Sequence, residues 1–418
     1  MNSQNNRAIA ISISEQVKEI VQTLYTPPND WPQIFQMFQG LHQTPPTAWQ
    51  LNDHYYVVAD YPTVQHVLRS DDFSSNRVRG IFKQSNTDPA AYEQLIQGFE
   101  NWILFKDGES HTLLRRCTNQ AFSRQMLDIM LPMMEECVDF LLSPFLAQPK
   151  PVTFDLIKEV AFPLPMLVIA KALGAKAEDA LYLKQLSDRL TRVFFANITS
   201  AILTDAEQAL FASRDYFLHL INQHRQQPQD NLLGALLSLQ ATHPTITDQC
   251  MADNCSMLLL AGHETTTSTI GNLFYFLDEQ KLLCAVLQNS ALFNPAIEET
   301  LRYSCPVQSI RRIAIKSVTL HQYHLQPGDC IEVLLGAACR DPNMFEQPNQ
   351  FKLDRQHNKH LAFGYGRHLC SGAQLSRLEM HVVLNHLDSH SISVDRQQAK
   401  WRQQDTLVGL ESLPITIQ

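Results

Sequence analysis

The stretch HLAFGYGRHLCSGAQL, His360 to Leu375, decides how the rest of the chain is read. Cys370 sits in a glycine-rich loop two residues after His368, just where an apolar helical pattern begins: Leu375, Leu378, Val382 and Leu384 follow on helical spacing. A cysteine at a helix start faces unpaired backbone N–H groups and the positive end of the dipole, and both favour thiolate over thiol. The glycines around it let backbone approach a flat ligand closely. A thiolate beneath a bulky planar cofactor is haem-thiolate chemistry.

Rival readings of the loop are weaker. A buried structural cysteine explains the residue but not the glycines. A zinc site would draw on His357, His360, His368 and Cys370, yet structural zinc prefers tightly paired ligands, and glycines separate these. A dinucleotide loop needs G-x-G-x-x-G, and the glycine after Gly364 and Gly366 is Gly372.

Phe363, Gly364, Gly366, His368, Cys370 and Gly372 match, in order and spacing, the F-G-x-G-x-H-x-C-x-G loop of bacterial cytochromes P-450, and the chain resembles that family. The resemblance implies a mainly α fold with a small β subdomain, haem b lying between a long central helix and the cysteine loop, and Cys370 as its axial thiolate ligand. Phe363, Gly364 and Gly372 would border the cofactor, with His368 contacting a propionate.

AGHETTTSTI, Ala261 to Ile270, is a polar break in an apolar helical run. Gly262 leaves room beside a ligand. The Thr265 hydroxyl is placed to bond back to the Ala261 carbonyl and open the helix locally. The segment resembles the family's A-G-x-[DE]-T oxygen-activation motif, which implies Glu264 and Thr265 as an acid–alcohol pair for proton delivery, with Ala261 and Gly262 against the cofactor. A zinc-protease H-E-x-x-H fails, because Thr267 stands where the second histidine belongs.

His111 and Arg115 lie four apart on one helix face, and with Arg312 and His368 they match the family's propionate-binding positions. Glu299 and Arg302 match the structural E-x-x-R pair that supports the ligand loop. Relatives often complete it with an arginine where this chain has Gln350, leaving Arg355 as the candidate.

The 418 residues, 44% apolar and 18% charged, suit one sizeable domain, 1–418, with β-rich parts near 48–60, 310–338 and 390–418. A net charge of −9 argues against nucleic-acid binding. Nine scattered cysteines without a C-x-x-C pair point to a reduced, cytoplasmic protein. No stretch reads as a signal peptide or membrane anchor. Without a flavin or iron–sulfur motif, electrons must come from outside. The resemblance implies a ferredoxin or flavodoxin with its reductase, docking on a basic face of Arg355, Lys359, Arg367 and Arg377.

The expected reaction inserts one atom of O2 into a lipophilic small molecule, by hydroxylation or epoxidation. A secondary metabolite, terpenoid or fatty acid, free or carrier-bound, fits. Desaturation or oxidative coupling by the same centre, a non-catalytic haem sensor and a zinc protein are the alternatives. By family position the pocket draws on Ile81 to Trp102, Phe194–Phe195, Leu259, Val307, Gln308, Leu407 and Val408.

Overall fold

A computed structural model describes residues 15–24, 31–42, 47–83, 88–194, 198–402 and 407–418. The polar break noted above lies in the element that organises the rest. In chain order, the helices that build the site are α1 (Gly108–Ala121), α2 (Arg124–Leu146), α3 (Pro163–Ala172), α4 (Ala180–Thr191), α5 (Ser200–Gln226), α6 (Asp248–Glu279), α7 (Phe293–Tyr303) and α8 (Ala373–Leu387).

The 32-residue helix α6 begins where Thr247 accepts the Cys250 N–H through its side chain at 3.1 Å. Such a cap is worth about 1 kcal/mol. The helix is buried around much of its circumference because α3, α4, α5, α7 and α8 all pack on it. Gly271 permits one close approach: a Cβ there would lie 2.5 Å from Ile157. Ile157 opens a single π-helical turn, Ile157–Ala161, that feeds α3. The proline-broken stretch Ala161–Ala170 therefore becomes a buried helix of the core, with Pro163 in its first turn.

The strands are β1 (Ala48–Asn52), β2 (Tyr55–Val58), β3 (Phe73–Ser74), β4 (Val152–Asp155), β5 (Ser309–Ala314), β6 (Val318–Leu320), β7 (Tyr323–Leu325), β8 (Cys330–Leu334), β9 (Ile392–Val394), β10 (Lys400–Trp401), β11 (Leu410–Ser412) and β12 (Pro414–Ile417). The main sheet runs β1-β2-β8-β5-β3, with β2 parallel to β8 and the other pairs antiparallel. It brings Ser74, at the end of β3, and Arg312, on β5, to one side of the site. Within the β-rich part expected near 310–338, strand ends at Leu334, and Leu335–Ala338 is helical instead. The main hydrophobic cluster surrounds α6, and a second one gathers Trp31, Phe38, Trp49 and Val57 near the start of the chain.

Candidate active site

The Cys370 loop is a compact set of turns. The Cys370 N–H donates to the Phe363 carbonyl at 2.9 Å and the Gly364 N–H to Leu361 at 2.8 Å. Gly364 and Gly366 have φ of +73° and +72°, which side chains rarely tolerate. Their reasons differ from simple clearance for a flat ligand. A Cβ on Gly366 would sit 2.7 Å from the Leu68 carbonyl, so this glycine seats the loop on the distant helix Tyr61–Arg69. At Gly372 a Cβ would meet nothing within 4 Å, so the open side of the loop is there.

Cys370 is exposed by area, yet desolvation is the largest influence on its thiol and pushes its pKa up. The residue is thus accessible, yet its thiol is surrounded by protein. A Gly372 N–H and the cations Arg115 and Arg377 pull toward thiolate, but burial outweighs them. The helix start alone therefore does not ionise this cysteine; a coordinated metal ion would.

The opposite wall is α6. Met251 to Leu259 and Thr266 to Phe274 are buried, but between these runs Ala261 is exposed, and Gly262, Glu264 and Thr265 are half-buried. Just past this window Thr266 Oγ1 donates to Ser376 Oγ of α8 at 3.3 Å. That contact ties the open stretch of α6 to the helix that follows the Cys370 loop, so the exposed residues of the two are taken as walls of one cleft. The Thr265 hydroxyl donates to the Ala261 carbonyl at 2.9 Å, and Thr267 and Thr269 bond back in the same way. The helix nevertheless runs unbroken through this segment, so the local opening expected from the threonines is not present.

Glu264 is held by two cations from different elements, Lys184 of α4 at 3.5 Å and Arg402 at 3.9 Å. Lys184 also pairs with Asp188 one turn along α4, toward the surface. His263 faces away, donating through Nε2 to the Phe162 carbonyl at 2.9 Å. Burial, with Lys184 nearby, lowers its pKa to about 3, so it is neutral.

At one end of the cleft lies a cluster of cations. His111 stacks on His368 with ring centroids 4.3 Å apart, and its Nε2 is buried without a partner. Arg115 donates to Ser371 Oγ in the cysteine loop at 2.6 Å. Arg312 is buried, donates to the Arg311 carbonyl, and makes no ion pair among those found for the described residues. Burial and the charge of Arg77 lower its pKa to about 10. Burial, then His368, Arg115 and Arg367, lower the pKa of His111 to about 4. A buried guanidinium and an orphaned imidazole nitrogen call for anionic partners. The two propionates of a haem whose iron meets Cys370 are such partners, so the donor set fits haem.

The support beneath the loop is a closed network. Arg302 meets Glu299 in bidentate fashion at 2.7 and 2.9 Å. Arg355 reaches the same carboxylate at 3.1 and 3.3 Å, and the Asn358 amide and Lys352 N–H donate to it as well. Gln350 contributes only its carbonyl, which accepts from both arginines. Arg377 pairs with Glu298 and covers the Phe363 ring at 4.5 Å.

The sequence-derived pocket positions fall into several local groups of contacts. Phe99, Trp102, Phe105 and Phe194 form one aromatic cluster, and Arg77 over the Phe105 ring joins it to the cationic end. Val307 and Leu407 meet in a β-bridge. Leu259 and Val408 are buried, and the Val408 backbone is bonded to Asn272 and Pro306. The Gln308 amide donates to the Cys305 carbonyl, and its side chain packs beside Gly336 and Phe38. Phe195 lies outside the described residues. Sequence reasoning passed over Lys184, Arg402, Asp107 and Ser75. No motif marks them, because each reaches the site from a distant segment.

A cysteine loop and a polar helix window across one cleft, with cations at its edge, define a haem-thiolate oxygenase. The cytochrome P450 family model matches residues 20–289 and 278–418. The biotin biosynthesis cytochrome P450 of Bacillus subtilis is 30% identical over 367 residues, 87% of this chain and 90% of that one. The polyketide biosynthesis cytochrome P450 PksS of the same organism is 30% identical over 83% of this chain and 85% of its own length. Among solved structures, P450BioI in complex with hexadec-9Z-enoic acid-ligated acyl carrier protein superposes with a TM-score of 0.81 at 27% identity, covering 92% of this chain and 98% of that one.

The chain belongs to the cytochrome P450 family and is a P450 monooxygenase. Its cofactor is haem with the Cys370 thiolate as axial ligand. Among the described residues no cluster of three or more His, Cys, Asp or Glu is arranged to hold a metal ion by itself, and no helix is long and apolar enough to cross a membrane.

Proposed function

We propose that this monooxygenase hydroxylates or epoxidises a lipophilic acyl or polyketide-like substrate, free or attached to a carrier protein. The observation that carries this reading is the half-buried Phe194 ring, which edges an otherwise buried cluster of Phe99, Trp102 and Phe105 and so gives an apolar wall to a lipophilic body. Relatives named for biotin and polyketide biosynthesis, and a neighbour holding an acylated carrier protein, support it.

His111, Arg115, Arg312 and His368 would hold the haem propionates, and Cys370 the iron. Haem so held supplies dioxygen activation, with one oxygen atom passing to the substrate and the other leaving as water. The protein's part is proton management. The Thr265 hydroxyl leaves the Ala261 carbonyl and offers its proton at Oγ1 to the cleft. Glu264, held as the carboxylate by Lys184 and Arg402 between turnovers, would turn away from them, take up a proton from solvent water and pass it to Thr265 Oγ1. The Lys184–Asp188 pair leads from Glu264 toward solvent.

Electrons are delivered by a ferredoxin or flavodoxin with its reductase. The basic face expected for that partner is smaller than its sequence suggests. Arg355 and Arg377 are committed to Glu299 and Glu298, and Arg367 pairs with Asp71 at 2.5 Å. Lys359, exposed, and the half-exposed Arg367 carry the docking charge.

A spectral titration of the ferric enzyme with free C14–C18 fatty acids, the same acyl chains on acyl carrier protein, a macrolide and a steroid tests the substrate class. Displacement of iron-bound water by the acyl ligands at micromolar concentration is expected. A response confined to the steroid, or to none of the panel, overturns it.

A further inference from the structure

Asp107 occupies the position just before α1, with extended backbone at φ −127° and ψ 174°. There an aspartate side chain ordinarily accepts a first-turn N–H. Asp107 makes no such bond. Its carboxylate turns the other way, accepting the Ser74 hydroxyl and, at 3.4 Å, the Ser75 N–H at the end of β3, and facing His368 Nε2 at 3.6 Å. Ser75 Oγ stands 3.0 Å from the same Nε2. One carboxylate thus ties together the end of β3, the start of α1 and the cysteine loop.

The surroundings explain why a carboxylate is needed at this point. His111, Arg115, Arg312, His368 and Arg367 converge here, with Arg77 acting on Arg312. Like charges gathered in a partly buried site repel, and for both His111 and Arg312 Asp107 is the neighbour that opposes this. Asp107 is the carboxylate set among these groups, and through Ser75 and the His368 ring it acts on the loop two residues from the axial ligand.

We propose that Asp107 is a positioning residue for the haem: with Ser75 it fixes the His368 ring against the propionate edge, and its negative charge lowers the reduction potential at the iron. The sign follows from the charge change. Ferric haem carries one more positive charge than ferrous haem, so a nearby carboxylate favours the ferric state, and removing the carboxylate favours reduction.

The test compares the haem-loaded wild type with Asp107→Asn, Asp107→Glu and Ser75→Ala, reading the midpoint potential by dye-coupled titration and haem loss by transfer to apomyoglobin. The reduced, carbon monoxide-bound spectrum, reporting Cys370 ligation, is taken first and should be unchanged in all. Asp107→Asn should raise the potential and speed haem loss several-fold, and Asp107→Glu should largely restore both. Ser75→Ala keeps the charge, so it should speed haem loss while leaving the potential near that of the wild type. If Asp107→Asn lowers only the thermal midpoint and moves neither potential nor haem loss, Asp107 is a fold element and the proposal is wrong. Should that variant fail to load haem, Ser75→Ala decides: unchanged haem loss there overturns the positioning role.

Discussion

Thr265 and Glu264 are adjacent in the chain and held in opposite ways. The Thr265 hydroxyl is occupied by a carbonyl of its own helix, a bond that costs little to break. Glu264 is occupied by Lys184 and Arg402, charges from two other parts of the chain. Removing each should therefore fail differently. Thr265→Ala should keep haem and the substrate-induced spectral shift but divert reducing equivalents to hydrogen peroxide, measured as peroxide formed per NADPH consumed. Unchanged coupling would remove Thr265 from proton delivery. Glu264→Gln keeps shape and loses the titrating group. Turnover should fall about 10²-fold or more, with the spectral dissociation constant unchanged and a larger solvent isotope effect. A fall in substrate affinity with normal turnover would instead make Glu264 a binding residue.

At the scale of elements, the support under the ligand loop depends on side chains at some positions and on backbone at others. Gln350 stands where relatives often carry an arginine, but its side chain is exposed and only its carbonyl is used. Gln350→Ala should leave stability within about 0.5 kcal/mol. Arg355→Ala removes a donor pair to the buried Glu299 carboxylate and should cost about 3–5 kcal/mol, read as a lower urea midpoint and loss of haem on purification. Equal effects of the two changes would contradict the network. The contrast marks the reach of the sequence. Glu299, Arg302 and the missing arginine are legible because they lie in short motifs, and Arg355 is near enough along the chain to be nominated. The Asp107–Ser74–His368 connection is not, since it joins three segments separated by tens to hundreds of residues and leaves no periodic trace. Gln308 shows the reverse limit: a family position places a residue near the pocket without saying which way its side chain turns. The helix expected through Ala261–Ile270 is present, but threonine back-bonding does not break it, because five helices packed on α6 override weak local propensity.

For the whole molecule, the same packing that hides polar groups makes stability depend on acid. His263 is buried against Phe162, and burial lowers its pKa from 6.5 to about 3. In the unfolded chain it takes up a proton as pH falls through 6.5, and in the folded chain it does not until about 3. The unfolded state therefore binds more protons throughout that window, and stability is lost as pH falls. Glu298 acts in the same direction lower down. Although desolvation opposes it, hydrogen bonds from Arg377 and His360 hold its pKa at about 2 against the usual 4.5. Its contribution is complete above 4.5 and lost as pH falls through 2. Urea midpoints from pH 7 to 3 should thus decline in two stages, the upper one beginning near 6.5. His263→Gln should flatten the upper stage by up to about 1.4 kcal/mol per pH unit and leave the lower one intact. Glu298→Gln should do the converse, weakening the protein at pH 7 while making it less sensitive below 4.5. The comparison of slopes, rather than of midpoints, isolates proton uptake from whatever each substitution costs in packing. A His263→Gln profile parallel to the wild type between pH 6.5 and 4.5 would mean that this histidine titrates alike in both states and that its burial is not the source of acid sensitivity.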